Sequence, residues 1–319
     1  MDFKHYHLWG NFSMERIIED NPSRAIIFAA EEWNISGFLH MHPLFHRLST
    51  IDLDIVYGSF NSPDLKNTPR HARVHHWPTL WCNRTYTEFN HHPHNIEHTD
   101  ITTLYLCLNN KAHPHRCMLL DHLSKHDLLK HGSVTWHEPE TNFKWNHWNP
   151  TRLVLDETYI EFMDSYKTLP KEFSNTLFSL VAESTPDTLF ITEKTWTPIL
   201  FNKPVLLLGA KDIHKHLESL GIELYNELFD YSFDSCTDMQ DRIDGIIANI
   251  QRLSHMNLQE LRNRIAEKAT RNRNRMIEIT TSKQFIPNIV YNHMQALECD
   301  PDLGHTNDFR YLEMYNLLK

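Results

Sequence analysis

The sequence predicts an α/β protein with parallel sheet covered by helices on both faces. Short runs such as TLFSLVAE at 176–183 and PVLLLGA at 204–210 are apolar on both sides, which is typical of strands buried between two helical layers. These runs alternate with stretches of helical periodicity. At 319 residues the chain is long enough for two compact domains, each with its own core.

The composition indicates a folded protein and argues against several classes. Hydrophobic residues make up 40% and charged residues 23% of the chain, which is typical of globular domains rather than disordered ones. No apolar run approaches the roughly 18 to 20 residues of a membrane-spanning helix, and the start MDFKHYHLWG lacks a signal-peptide pattern. The five cysteines are scattered and form no CxxC. We therefore expect a protein of the reducing cytoplasm, without membrane partners.

Charge and histidine content limit the expected partners. The formal net charge of -10 does not suggest a broad basic face for nucleic acid. The 24 histidines are unusual, but the run at 91–94 contains a proline and is typical of a polar loop. No HExxH or comparable ligand spacing occurs, so we expect neither a metal ion nor another required cofactor.

Two apolar runs organise the first 99 residues, which we take as an N-terminal domain. Residues 24–30 (RAIIFAA) and 51–57 (IDLDIVY) are predicted strands. A helix could lie between them at 31–48. Residues 61–98, rich in Pro, Asn and His, are predicted to be irregular.

Strands and helices alternate more clearly from 100 to 298, which we take as a C-terminal domain. The run 101–108 (ITTLYLCL) is a predicted strand, followed by a polar loop and by a helix from 116 that Gly132 closes. The pattern repeats with strand 176–183, a helix beginning near Thr192 and strand 204–210. Further helices are predicted at 212–220, 238–253, 258–279 and 283–297. A tail remains at 299–319, for which we consider packing against the first domain.

Polar loops follow two of the predicted strands, at 109–116 and at 183–194. In an open parallel sheet, ligands bind beyond the carboxyl ends of the strands. Free N–H groups at a helix start favour phosphate, and Arg116 and Lys194 from the two loops could together hold a diphosphate. A carboxylate beside them would instead bind sugar or ribose hydroxyls. The alternative is that Thr192 and Glu193 only cap a helix and Arg116 is a solvated surface residue.

The segment 182–194, AESTPDTLFITEK, resembles the signature of the α-1,3-fucosyltransferase family. In that signature a carboxylate within Glu-Asn-Ser precedes a Tyr-x-Thr-Glu-Lys element. Glu183 and Glu193 are ten positions apart here, as in the family, and Lys194 follows. LCLNNKAHPHR and NKPVLLLGA resemble flanking parts of the same domain, so the resemblance covers about 104–210. The chain is also similar to uncharacterised glycosyltransferase-like proteins of bacteriophages.

The resemblance implies a GT-B-like architecture with two Rossmann-like domains facing a cleft and with C-terminal helices. The first domain would take the acceptor, and the second would hold a nucleotide sugar. Arg116 and Lys194 would neutralise the diphosphate, Glu193 would bind ribose, and Glu183 would lie near the donor sugar or ribose. Ser184 and Phe190 replace the family's Asn and Tyr, so the donor need not be GDP-fucose. The implied donor-binding residues are Asn109, Arg116, Glu183, Ser184, Phe190, Thr192, Glu193 and Lys194.

The implied reaction is the transfer of a hexosyl or fucosyl group to an acceptor hydroxyl. Arg116 and Lys194 could stabilise the leaving diphosphate in place of a metal ion. The inverting route needs a base in the first domain, and Glu31 or Glu32, directly after strand 24–30, is our candidate. A pair of first-turn helix acids is the alternative interpretation. Poorer candidates for the base are His40, His42, His75 and His76.

The motif Asp52-Leu53-Asp54 has the DxD form that binds a metal ion and a diphosphate in other glycosyltransferases. Its acids alternate with apolar residues within a strand, so an exposed strand face explains them better. The acceptor remains open between a glycan and a hydroxylated, modified DNA base. If a phage encodes the chain, the cytoplasm is that of its host. Two alternatives are an inactive nucleotide-sugar-binding protein and a histidine-rich metal-binding or structural viral protein.

Overall fold

The computed structural model describes residues 3–7, 14–29, 50–58, 72–91, 100–137, 141–153, 155, 169–299 and 309–319. The chain divides into two compact units. The first unit comprises Met1–Thr87, Thr188–Ile191 and Ile279–Lys319, and the second comprises Glu88–Asp187 and Thr192–Glu278.

Parallel strands and helices make up both units, which confirms the predicted α/β class. The strands of the described residues are β1 (Phe3–His7), β2 (Arg24–Ala29), β3 (Asp52–Tyr57), β4 (Ala72–His76), β5 (Thr103–Cys107), β6 (Gly132–Val134), β7 (Thr176–Ala182) and β8 (Val205–Leu208). The helices of the described residues are α1 (Met14–Asp20), α2 (Leu80–His91), α3 (Pro114–Lys125), α4 (Glu172–Asn175), α5 (Glu193–Leu200), α6 (Ile213–Ser219), α7 (Met239–Leu253), α8 (Leu258–Thr281), α9 (Asn288–Cys299) and α10 (Phe309–Leu317). No helix in the described part of the chain is long and apolar enough to cross a membrane.

The sheet of the first unit follows chain order, β1-β2-β3-β4, with every pair parallel. One face buries apolar side chains of β2 and β3 against Ile17 of α1. The other face, which includes Phe28 and Val56, packs with Val290 and Met294 of α9 and with Tyr315 of α10. Apolar residues on both faces of a strand are what a sheet with two helical layers requires.

The two strands predicted for the first 99 residues are confirmed as β2 and β3. The irregular stretch predicted at 61–98 is wrong, because it contains β4 and α2. Polar residues concealed α2: Asn83 and Thr87 are buried, and their side chains bond to the main-chain oxygens of Thr280 and Asn83. The helix considered at 31–48 lies outside the described residues.

The sheet of the second unit has the order β6-β5-β7-β8, again with all pairs parallel. The chain therefore leaves β5 toward β6 on one side and then crosses to β7 and β8 on the other. A reversal of this kind is a topological switch point, here between β5 and β7. The sheet shares one apolar core with α3, α7 and α8.

The strands predicted at 101–108, 176–183 and 204–210 are confirmed as β5, β7 and β8. The helix expected from 116 to Gly132 is shorter, since α3 ends at Lys125 and Asp127 turns the backbone with a φ of 55°. Gly132 instead begins β6, where a Cβ would overlap the ring of Tyr105. Glycine is required there by close packing rather than by a helix end.

The C-terminal segment Ile279–Lys319 belongs to the first unit. Pro287 separates a short 3-10 turn at Lys283–Phe285 from α9, so the single helix predicted at 283–297 has two parts. The sequence-based division placed residues 279–298 with the second domain. In the structure their apolar side chains, together with those of α10, pack on β2 and β3.

Candidate functional site

The switch point of the second sheet brings together the two polar loops singled out in the sequence. The loop after β5 leads to α3 at Pro114, and the loop after β7 leads to α5 at Glu193. Pro114 suits the first turn of a helix, where its missing N–H has no partner to lose. Crevices at switch points and free N–H groups at helix starts both favour anionic ligands.

Asn109 holds the loop after β5 against the end of β6. Its main-chain N–H donates to Thr135 Oγ1 at 2.9 Å, and its side-chain nitrogen lies 3.1 Å from Cys107 Sγ. The side chain is buried, and its Oδ1 has no hydrogen-bond partner among the described residues. Asn109 therefore offers one buried acceptor atom beside the helix start.

Glu183 shapes the start of α5 with its side chain. Thr192 donates to the carboxylate twice, from N at 3.1 Å and from Oγ1 at 2.6 Å, and Thr195 Oγ1 donates at 2.5 Å. Thr192 is also the N-cap of α5, as the predicted helix start required, and accepts from Lys194 N at 3.3 Å. Burial raises the pKa of Glu183, whereas Lys194 and the two threonines lower it. The carboxylate is fully enclosed and is therefore occupied by protein groups rather than open to a sugar.

The main-chain oxygen of Glu183 joins the starts of the two helices. His115 Nε2 donates to this oxygen at 2.7 Å, and Arg116 Nη2 donates at 3.4 Å. Because a carbonyl oxygen only accepts, Nε2 of His115 carries the hydrogen. Burial lowers the pKa of His115 to about 4, so the imidazole is neutral at pH 7. His115 was not among the predicted site residues.

Two cations predicted for this site lie at the two helix starts. Arg116, in the first turn of α3, is 4% exposed and also lies 3.5 Å from the carbonyl oxygen of Lys111. Lys194 is more open, with a third of its side chain exposed, and its Nζ lies 2.6 Å from Glu193 Oε1. Glu193, the implied ribose ligand, therefore neutralises Lys194 in this structure.

The remaining predicted residues of the loop differ in exposure. Ser184 is half-buried. Phe190 is 1% exposed, and its segment Thr188–Ile191 groups with the first unit. Its ring is thus enclosed by protein rather than open for a ligand to stack on.

A third cation, Arg242, was missed by the sequence analysis. It lies in the first turn of α7, is 7% exposed, and donates from Nη1 to the carbonyl oxygen of Gly209 after β8. A Cβ placed at Gly209 would lie 3.5 Å from the Cβ of Glu183, so this carbonyl borders the same strand end. In the sequence, Arg242 looks like any charged residue on an amphipathic helix, and no local signal marks it as buried.

The predicted base and the DxD motif belong to the first unit. Glu31 and Glu32, like His40 and His42, lie outside the described residues. Asp52 is exposed as expected, but the expectation is wrong for Asp54, which is fully buried. Ion pairs make this burial possible. The carboxylate of Asp54 accepts hydrogen bonds from Arg24 at 2.7 Å, Arg73 at 2.8 Å and His75 at 2.7 Å.

Those contacts set the charge state of Asp54. Burial by itself would raise the pKa of Asp54, but the hydrogen bonds from Arg73, His75 and Arg24 hold it well below its usual range. Because these bonds satisfy both carboxylate oxygens, Asp54 forms a closed ion-pair cluster. Nowhere in the described ranges do three or more His, Cys, Asp or Glu side chains form a group that could hold a metal ion.

No family model matches the chain, and no curated protein does. Similar solved structures include DNA-modifying β-glucosyltransferase with and without uridine diphosphoglucose, at 11% identity and a TM-score of 0.39, over 86% of this chain and 98% of that one. A mutant of the T4 phage enzyme BGT with UDP-glucose is similar at 11% identity and a TM-score of 0.38, over 79% and 72% of the two chains. T4 phage BGT with UDP and Mn²⁺ is similar at 10% identity and a TM-score of 0.36, over 84% and 78%. At this level of similarity, no residue of the site is assigned by correspondence.

Proposed function

We propose that the protein is a glycosyltransferase that moves a sugar from a nucleoside-diphosphate sugar to an acceptor hydroxyl. One observation carries the proposal: Glu183 joins the starts of α3 and α5 at the switch point, with Arg116 and Lys194 beside it. Two helix starts and two cations at one strand edge complement the charge of a diphosphate. The resemblance of residues 182–194 to a glycosyltransferase signature supports the same assignment.

The residues of the site take different roles in this proposal. Arg116 and Lys194 bind the diphosphate oxygens, while Asn109, Ser184 and Thr192 line the two loops that receive the donor. Glu193 exchanges its ion pair with Lys194 for ribose hydroxyls once phosphate neutralises the lysine. Glu183 does not touch the donor, since its carboxylate is enclosed, and acts as a positioning residue. Phe190 is likewise assigned to packing of the loop.

The proposed chemistry follows from the charges. The bond between the anomeric carbon and the diphosphate oxygen breaks, the acceptor oxygen attacks that carbon from the opposite face, and its proton passes to a base. Arg116 and Lys194 stabilise the negative charge that develops on the leaving diphosphate, so the proposed reaction proceeds without a metal ion. Glu31 or Glu32 is the proposed base. A glycan or a hydroxylated DNA base is the proposed acceptor, and the formal charge of -10 favours the glycan.

A thermal-shift panel of UDP-, GDP-, ADP- and dTDP-sugars, with the matching diphosphates, tests the proposal. We expect at least one nucleotide to raise the melting temperature through binding to the folded state. Lys194→Ala should abolish the shift, whereas Lys125→Ala, at the far end of α3, should retain it. Release of the nucleoside diphosphate from the bound donor then distinguishes an enzyme from an inactive binding protein. If no nucleotide stabilises the wild-type protein, the proposal is wrong.

A further inference from the structure

Arg242 carries a buried positive charge for which the described residues supply no ion pair. Its side chain is 7% exposed, Nη1 is bonded to a main-chain oxygen, and Nε has no hydrogen-bond partner among the described residues. Burial lowers the pKa of Arg242, yet an arginine remains charged at physiological pH. A buried charge without a counter-ion is costly, so an anion at this position would stabilise the protein.

The carboxylates that act electrostatically on Arg242 accept hydrogen bonds from other groups or are exposed. Asp234 accepts from His214 Nδ1 at 2.7 Å and from the main-chain N–H groups of His214 and Lys215. Asp238 caps α7 by accepting from Gln240 N at 2.7 Å. Asp187 is exposed and its loop leads toward α5. The positive charge of Arg242 therefore remains available to a ligand.

Arg242 borders the same strand edge as the two predicted cations. Glu183 N donates to Leu208 O at 2.9 Å, and the next residue, Gly209, receives the bond from Arg242. Arg116 and Arg242 both help to lower the pKa of His115, so all three groups lie within electrostatic range of one another. The loop after β5, the loop after β7 and helix α7 thus supply one cation each: Arg116, Lys194 and Arg242.

We propose that Arg242 is a specificity-determining residue that makes this site require a second phosphoryl group. The inference rests on the proposed function, since it concerns the same donor site. A monophosphate can be neutralised by the cations at the two helix starts, whereas the added charge of a diphosphate matches the third cation. The leaving diphosphate gains negative charge during transfer, which Arg242 also stabilises.

Arg242→Gln and Arg242→Lys test this inference, with Arg252→Gln as the matched control. Arg252 lies on the same helix and also donates to a main-chain oxygen, that of Leu228. Affinities are measured by calorimetry for the diphosphate that the wild type binds, for the corresponding monophosphate, and for inorganic pyrophosphate and phosphate. Melting temperatures are recorded without ligand.

Arg242→Gln should weaken binding of the diphosphate at least about tenfold and binding of the monophosphate less than about threefold. Loss of a charge-assisted hydrogen bond predicts an effect of this size. Arg242→Lys should retain part of the discrimination. The ligand-free melting temperature of Arg242→Gln should stay the same or rise, because a buried unpaired charge is removed. Arg252→Gln should lower the melting temperature and leave both affinities unchanged.

Four results would reject the role of Arg242, the proposed function or both, and they can be told apart. Equal weakening of diphosphate and monophosphate, or no weakening, would reject Arg242 as a specificity determinant while leaving the proposed function intact. A lower melting temperature with unchanged affinities would show a purely structural arginine. If the wild type binds pyrophosphate but no nucleotide, the proposed function is wrong. The effect of Arg242→Gln on pyrophosphate affinity, compared with its effect on phosphate affinity, then still tests the role of Arg242. If the wild type binds neither a nucleotide nor pyrophosphate, both the proposed function and the role of Arg242 are rejected.

Discussion

The two sheets have the same number of described strands but differ in strand order. The two units also differ in the partners of their buried charged side chains. The first follows chain order, whereas the second reverses between β5 and β7. In the first unit, Asp54 is buried among Arg24, Arg73 and His75, so opposite charges cancel locally. In the second unit, the buried Arg242 donates to the main-chain oxygen of Gly209 and forms no ion pair with the described residues. This difference is the reason for proposing that the second unit binds an anion.

The largest expected effect concerns the closed cluster of the first unit. Asp54→Ala leaves the guanidinium groups of Arg24 and Arg73 without their shared carboxylate, and we expect the free energy of unfolding to fall by about 3 kcal/mol. This is the low end of the range for a broken buried ion pair, because both arginines are partly exposed. Urea denaturation measures the loss. Asp52→Ala is the control, since this exposed carboxylate shares Arg73 and its loss should cost less than about 1 kcal/mol. Nucleotide affinity of the folded Asp54→Ala protein should not change, and a change would contradict the separation of roles.

A smaller stability effect, joined to a binding effect, is expected in the second unit. Glu183→Ala leaves Thr192 N and the Thr192 and Thr195 hydroxyls without their buried acceptor, and we expect a loss of about 2 kcal/mol. Because the start of α5 would shift, diphosphate affinity should fall at least about tenfold, and Glu183→Gln should restore part of it. Calorimetry on the folded protein checks this. Undiminished affinity in Glu183→Ala would show that Glu183 does not position the site.

The pH dependence of stability should also distinguish the two units. The pKa of His115 is lowered to about 4, so the folded state favours the neutral imidazole. The contribution of the neutral His115 to the stability of the folded state is present above the usual histidine pKa of about 6.5. It is lost as the pH falls from about 6.5 toward 4. The pKa of Asp54 is held below its usual range, so its contribution is lost only at lower pH, below the usual aspartate pKa of about 3.9.

His115→Gln isolates the histidine contribution, because a glutamine nitrogen can still donate to the oxygen of Glu183. Urea denaturation of both proteins at pH 7 and pH 4.5 gives the comparison. The wild type should lose more stability than His115→Gln over this interval. Equal losses would mean that His115 is not held neutral by the fold.

Sequence patterns predicted the parts of the fold that apolar periodicity marks. Strands β5, β7 and β8 are apolar on both faces, and Thr192 has the residue type of a helix cap. The same reasoning failed for α2, whose buried side includes Asn83, Thr85 and Thr87. The Asn83 side chain donates to the main-chain oxygen of Thr280, and this contact arises only when distant segments of the chain meet.

The candidate site was predicted in its location more than in its details. The sequence pattern placed Arg116 and Lys194 after two predicted strands, but it could not reveal that the Glu183 carboxylate turns inward. Arg242 and His115 were missed because burial of a charged or titratable side chain depends on tertiary packing, not on local sequence. Strand order, which creates the switch point, is likewise a tertiary property.

The proposed donor site at the switch point of the second sheet would bind a nucleoside diphosphate. Amide hydrogen exchange, recorded with and without the nucleotide that stabilises the protein most, tests it most directly. We expect increased protection at 109–116 and 183–200, with no change in β2 or β3. Protection that is confined to the first sheet, or absent from both loops, would contradict it.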